Sequence, residues 1–200
     1  MEAKDKFTLG LELPTDPRWV DIALHHVRDI LVDHAYCEQK AASSCISLIV
    51  QYPERTKLVE TLIPVVAEEW SHFERVVAEL SKRGYSLGPQ RKDEYIEALS
   101  KVVRKGGSRD QYLVEKLLMN AMVEARSCER FKILAAHISD TALSDFYYEL
   151  MISEAGHYKS FLHLAKEYMP PDQVMLRWRE WLASEADIVA NLAVRGDRMH

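Results

Sequence analysis

Ser153-Glu154-Ala155-Gly156-His157-Tyr158 sets a glutamate and a histidine three positions apart. On an α-helix that spacing puts both side chains on one face, where they can offer one oxygen and one nitrogen to a single point. The same Glu-x-x-His stands at Glu69-Trp70-Ser71-His72, and the two copies are separated by a constant interval, because 154 − 69 and 157 − 72 are both 85. With 19 glutamates and 8 histidines in the chain, about one such motif arises by chance. The surroundings of the two copies therefore decide the reading.

Those surroundings are helical. Leu31, Ala35, Glu38, Ala42, Cys45 and Ile49 fall on one stripe at steps of three and four, and Leu117, Ala121, Glu124, Cys128, Phe131 and Ala135 repeat it. A glutamate sits in the middle of each stripe, and 124 − 38 is 86, as an internally duplicated helical hairpin requires. Thr15-Asp16-Pro17 predicts a helix start near Pro17, running with or without a kink to Gln51. After a tight connection at Tyr52-Pro53-Glu54, a second helix carries Leu58, Leu62, Val65 and Val66 on to Leu80, with an irregularity expected near Pro64 and a stop at Gly84. A short helix is expected around Asp93 to Arg104. Ser108-x-x-Gln111 is a capping box for a third long helix reaching about Ile138. Ser139 and Asp140 offer caps for a fourth, which ends before Pro170-Pro171, and Asp172 is expected to cap a last helix to about Val194.

Two short connections and one of more than twenty residues describe two antiparallel hairpins joined by a crossover, which is the ferritin-like four-helix arrangement with additional short and C-terminal helices. No heptad with flanking charges persists, so a coiled coil is disfavoured. Two hundred residues with 48% hydrophobic and 28% charged content suit one all-α domain spanning 1–200. Gly and Pro together make 14 residues, or 7% against roughly 12% on average, too few for a turn-rich β fold. Cys37, Cys45 and Cys128 form no CxxC and leave an odd count. That points to a reducing compartment, and the thiols are expected to be small buried hydrophobes. Met1 to Lys6 leads into no apolar run, and nothing approaches a membrane span, so no membrane partner and a cytoplasmic location are expected.

Helical rise puts the four glutamates in register. Glu38 lies about 15 residues before the first turn and Glu69 about 16 after it, while Glu124 and Glu154 each lie about 15 from the second, so each pair is level at ~1.5 Å per residue. Glu129 would be roughly 7 Å out of step. Four isolated buried carboxylates would each cost several kcal/mol. Two divalent cations offset that cost: Glu38, Glu69, Glu124 and Glu154 with neutral His72 and His157 balance two M²⁺, and the mixed O/N donor set suits non-haem iron or manganese. One Glu from each of two helices and Glu-x-x-His from each of the other two is the pattern of carboxylate di-iron bundles. His34, one turn before Glu38, can support that carboxylate, but an exposed histidine is the preferred reading, and Trp178 and Trp181 are read as the packing face of the last helix.

The net charge of −5 argues against a general nucleic-acid binder. Yet Lys82 to Arg109 holds eight cations and three acids, leaving −10 for the remainder. Arg91, Lys92, Lys101, Arg104, Lys105 and Arg109 are therefore the candidate phosphate contacts.

Beyond spacing, the chain carries longer blocks: Asp5 to Trp19, Asp33-His34-Ala35-Tyr36-Cys37-Glu38-Gln39-Lys40-Ala41-Ala42, Glu68-Glu69-Trp70-Ser71-His72-Phe73-Glu74-Arg75, Glu124-Ala125-Arg126-Ser127-Cys128-Glu129-Arg130-Phe131, and the Ser153–Tyr158 stretch. Over essentially the whole chain these resemble the bacterial tRNA-(2-methylthio-N6-isopentenyladenosine) hydroxylase family, with no departure at the six ligand positions. The resemblance implies a di-iron monooxygenase that uses two iron ions (Fe²⁺/Fe³⁺) and O₂. Its substrate would be the isopentenyl group of the hypermodified adenosine 3′ of the anticodon. Two electrons per turnover would come from a separate reductase or ferredoxin-like partner, since the chain has no flavin or Fe–S motif. The alternative with the same ligands is a ferroxidase or iron-storage protein.

Overall fold

The computed structural model describes residues 8–200. The first positions of the Asp5 to Trp19 block, and the reading of the extreme N-terminus, lie outside them. Among the described residues there are seven α-helices, one short 3₁₀ turn and no strand. The chain divides into two compact units, one made of 17–93 with 194–200 and the other of 8–16 with 94–193.

The first unit is a helical hairpin with two additions. Helices α1 (Arg18–His25) and α2 (Val27–Gln51) are separated at His26, whose φ of −126° and ψ of 36° leave the helical region. The expected first helix is thus two. Helix α3 (Thr56–Lys82) runs continuously through Pro64. Pro64 is exposed, so water can satisfy the carbonyl one turn earlier that loses its N–H partner, and the expected irregularity does not break the helix. Leu31, Ala35, Ala42, Cys45 and Leu48 of α2 and Leu58, Leu62, Val65, Val76 and Leu80 of α3 are buried. Glu38, Glu69 and His72 are buried on the same stripes. The segment 194–200 belongs to this unit, with Met199 N donating to Asp33 Oδ2 at 2.8 Å.

The second unit contains α4 (Glu94–Val102), α5 (Arg109–His137), α6 (Thr141–Tyr168) and α7 (Pro171–Asn191). The capping box forms as expected: Gln111 N donates to Ser108 Oγ at 3.1 Å and Ser108 N donates to Gln111 Oε1 at 2.7 Å. Gly107 precedes it at φ +80°, a conformation that strains any side chain, and a Cβ there would lie 2.4 Å from Gln111 Oε1 and push that amide out of the capping box. Asp140 caps α6 by accepting from Leu143 N at 3.2 Å. Helix α7 departs from expectation at both ends. Its N-cap is Pro170 with Pro171 inside the first turn, so Asp172 is a first-turn acid rather than the cap, and the helix stops at Asn191. Proline pre-set for the first helical turn starts the helix without a side-chain cap, and Asp172 still complements the helix dipole there.

Trp178 and Trp181 are buried, as a packing face requires. A buried ionic cluster fastens α7 and residues 13–15 to α5. Fully buried Arg126 donates to both oxygens of Glu185 at 2.8 Å, to Glu129 at 2.5 Å and to the carbonyl of Leu13 at 2.9 Å. Among the described residues no helix is long and apolar enough to cross a membrane.

Candidate metal centre

Each unit presents half of the sequence-predicted constellation. In the first, Glu38, Glu69 and His72 each offer a ligand atom within 4.8 Å of the others. His72 Nδ1 lies 3.6 Å from Glu38 Oε2 and 3.9 Å from Glu69 Oε2. In the second, Glu124, Glu154 and His157 satisfy the same limit, with His157 Nδ1 3.2 Å from Glu154 Oε2. All six are buried. Every expected position is therefore buried in a helical hairpin, and each histidine lies beside the glutamate three positions before it.

Two observations sharpen the ligand reading. Glu129, the competitor to Glu124, is enclosed by donors: Thr15 N at 2.9 Å, Thr15 Oγ1 at 2.6 Å and Arg126. It is the acceptor of the buried ionic cluster. His34, in contrast, overturns its reading as exposed, since it is fully buried with Nε2 2.5 Å from Glu38 Oε1. A histidine facing a carboxylate one turn away fixes that carboxylate's orientation, and the His-x-x-x-Glu spacing was the available signal.

Two thiols near these groups, those of Cys45 and Cys128, are held in the protonated form. Burial, reinforced by the charge of Glu69, pushes the Cys45 thiol up to about 12. Burial, reinforced by Glu154, does the same for Cys128. Both are buried as expected, whereas Cys37 is half-buried. The donor set that remains, carboxylate oxygens with imidazole nitrogens in an apolar surround, fits non-haem iron.

The basic candidates divide between the units. Arg91 is half-buried in the first, donating to the carbonyls of Asp29 at 2.7 Å and Asp197 at 2.8 Å, and Lys92 is exposed. In the second, Lys101, Arg104, Lys105 and Arg109 are exposed. The Arg104 side chain is 63% exposed and pairs with Glu180 at 2.6 Å. Beside it lies a groove of about 440 Å³ lined by Arg104, Lys105, Gly107, Gln111, Leu176 and Arg177, among others.

The family model described as tRNA-(MS[2]IO[6]A)-hydroxylase (MiaE) matches residues 2–200. The chain belongs to this family. It is 39% identical over 158 residues, 79% of its length and 76% of the relative's, to the tRNA 2-(methylsulfanyl)-N(6)-isopentenyladenosine(37) hydroxylase of Pseudomonas putida. The enzyme of that name from Salmonella typhimurium is 26% identical, over 90% of this chain and 83% of its own. A solved structure, Protein 43 with aldehyde deformylating oxygenase activity from Synechococcus, superposes with a TM-score of 0.89 at 33% identity, covering 95% of this chain and 94% of its own. The fold class is accordingly all-α and ferritin-like. As a member of the MiaE family the protein is a tRNA hydroxylase, and the iron-storage alternative is not favoured.

Proposed function

We propose that Glu38, Glu69, His72, Glu124, Glu154 and His157 together hold two iron ions, and that the centre hydroxylates the isopentenyl group of 2-methylthio-N6-isopentenyladenosine in tRNA. The observation that carries this reading is the repetition, in a chain of the MiaE family, of one buried glutamate plus one buried Glu-x-x-His in each hairpin. Four carboxylates and two neutral imidazoles balance two divalent ions. Bound iron with open positions supplies O₂ activation and the redox steps of oxygen insertion.

The chain's own residues supply the rest. His34 holds one oxygen of Glu38, leaving the other directed toward His72. Leu31, Ala35 and Ala42 beside Glu38, and Leu117, Ala121 and Phe131 beside Glu124, are buried apolar groups. They keep water from the carboxylates and suit a prenyl chain. The target base leaves its stack to reach a buried centre. Lys101, Arg104, Lys105 and Arg109, with Lys92 and Arg91, provide the phosphate contacts, Arg91 least because its guanidinium is committed to Asp29 and Asp197. The two electrons come from a separate reductase or ferredoxin-like protein, and the place of action is the cytoplasm, where tRNA is modified.

The test is to give the iron-loaded protein a chemical reductant, isopentenylated tRNA and ¹⁸O₂, then to analyse the nucleosides by mass spectrometry. One labelled oxygen on the isopentenyl side chain is the expected product. Iron-loaded, reducible protein that leaves the tRNA unchanged while accumulating oxidised iron overturns the reading, as does label arriving from water.

A further inference from the structure

Away from the two half-sites, the first unit brings together another set of metal-ligating side chains. Cys37 of α2, Asp93 of the segment before α4 and His200 of the tail each offer a ligand atom, and the three atoms lie within 4.8 Å of one another. Cys37 Sγ is 3.8 Å from His200 Nδ1. We propose that these residues form a separate metal site for a borderline divalent cation such as Zn²⁺, which clasps the segment 194–200 onto α2.

The convergence is built by the tail. Met199 is fully buried and its N–H donates to Asp33. The carbonyl of Arg198 accepts from Trp19 Nε1 at 3.2 Å, and Arg91 bridges the carbonyls of Asp197 and Asp29. Gly196 lies so close to Ile22 that a Cβ there would come within 2.4 Å of its side chain and 2.8 Å of its backbone. The residues leading into His200 are thereby fixed, and the imidazole is delivered to Cys37. Although Cys37 precedes Glu38, one residue turns an α-helix by about 100°, so the thiol and the carboxylate project in different directions.

The donor chemistry selects the ion. Sulfur and imidazole nitrogen disfavour Mg²⁺ and Ca²⁺, which prefer oxygen cages, and favour Zn²⁺, whose sites combine Cys, His and Asp. A thiolate and a carboxylate neutralise the dication, the thiol proton passing to solvent as the metal binds. Three protein ligands leave a fourth position for water. Lys40, one turn along α2, pairs with Asp93 Oδ2. A carboxylate has two oxygens, so this contact orients Asp93 while the second oxygen serves the metal. All three ligands are half-buried, which leaves an ion a route in.

Co²⁺ is the probe, added to the full-length protein with and without iron, so that the outcome does not depend on the iron reading. The expected result is about one Co²⁺ per chain beyond any taken by the Glu/His positions, with a near-ultraviolet thiolate-to-cobalt charge-transfer absorption that added Zn²⁺ removes. Cys37→Ser should abolish the band. His200→Ala and Asp93→Asn should each weaken cobalt binding at least tenfold, with iron content unchanged in all three. No thiolate band in the parent protein, or a band that survives Cys37→Ser, overturns the proposal.

Discussion

Glu124 and Glu129 stand on one helix, about 7 Å apart along its axis, and their surroundings divide them. Glu129 accepts from Thr15 and Arg126, whereas Glu124 shares a ligand-sized space with Glu154 and His157. Truncating each should therefore fail differently. Glu124→Ala should lose iron with little loss of fold stability. Glu129→Ala removes one of the two carboxylates that hold the fully buried Arg126, which keeps Glu185, and should cost about 1–3 kcal/mol while the iron stoichiometry persists. Iron quantification beside urea unfolding separates the two; loss of iron from Glu129→Ala with retention by Glu124→Ala would reverse the assignment in α5. That Glu124, and not Glu129, comes together with Glu154 and His157 was legible from register alone. The burial of His34 was not, because one histidine among Asp33, Ala35 and Tyr36 carries no sign of which way the helix faces, and only its spacing from Glu38 hinted at a contact.

Among the elements, boundaries written in local chemistry were readable and those set by packing were not. The Ser108–Gln111 box and the Asp140 cap involve neighbours within three residues. The break at His26 has neither glycine nor proline to announce it, and α7 starts on Pro170-Pro171 instead of its nearest acid. Helices α2 and α5 also share a latent alkaline liability. Cys45 and Cys128 have thiols raised from 9.0 to about 12, first by burial and then by Glu69 and Glu154 respectively. In the unfolded chain these thiols ionise near 9, while the folded protein holds their protons until near 12. Their stabilising contribution is thus complete below pH 9 and is lost as pH rises toward 12, by about 1.4 kcal/mol per pH unit for each thiol. Urea midpoints of the iron-free protein measured from pH 8 upward should fall along this slope. The double variant Cys45→Ala, Cys128→Ala should have a visibly flatter alkaline limb; an unchanged limb would assign the loss to other groups.

At the scale of the whole molecule, net charge conceals what the chain does with its cations. A protein of −5 has to approach a polyanion, and its sequence concentrates +5 between Lys82 and Arg109. The run itself was legible, but its commitments were not, because Arg104 finds Glu180 and Arg91 finds Asp197 only through folding. Arg104 remains mostly exposed despite its partner, and Lys105 and Arg109 are exposed beside the Gly107 turn. An exposed pair of this kind contributes little to stability, so Arg104 can exchange Glu180 for a phosphate at small cost. Each phosphate contact releases counterions and adds about 0.7–0.9 to the slope of log K against log salt. Replacing Arg104, Lys105 and Arg109 together with alanine should therefore weaken binding of an isopentenylated tRNA and flatten its salt dependence by about two units. The iron content should stay as in the parent, since none of the three is among the six proposed ligands and Arg109, the one on a ligand-bearing helix, stands about four turns from Glu124. Fluorescence titrations across a series of salt concentrations measure both quantities. An unchanged affinity and slope would transfer the phosphate contacts to other cations, beginning with Arg195 and Arg198, which the tail carries beside Asp197.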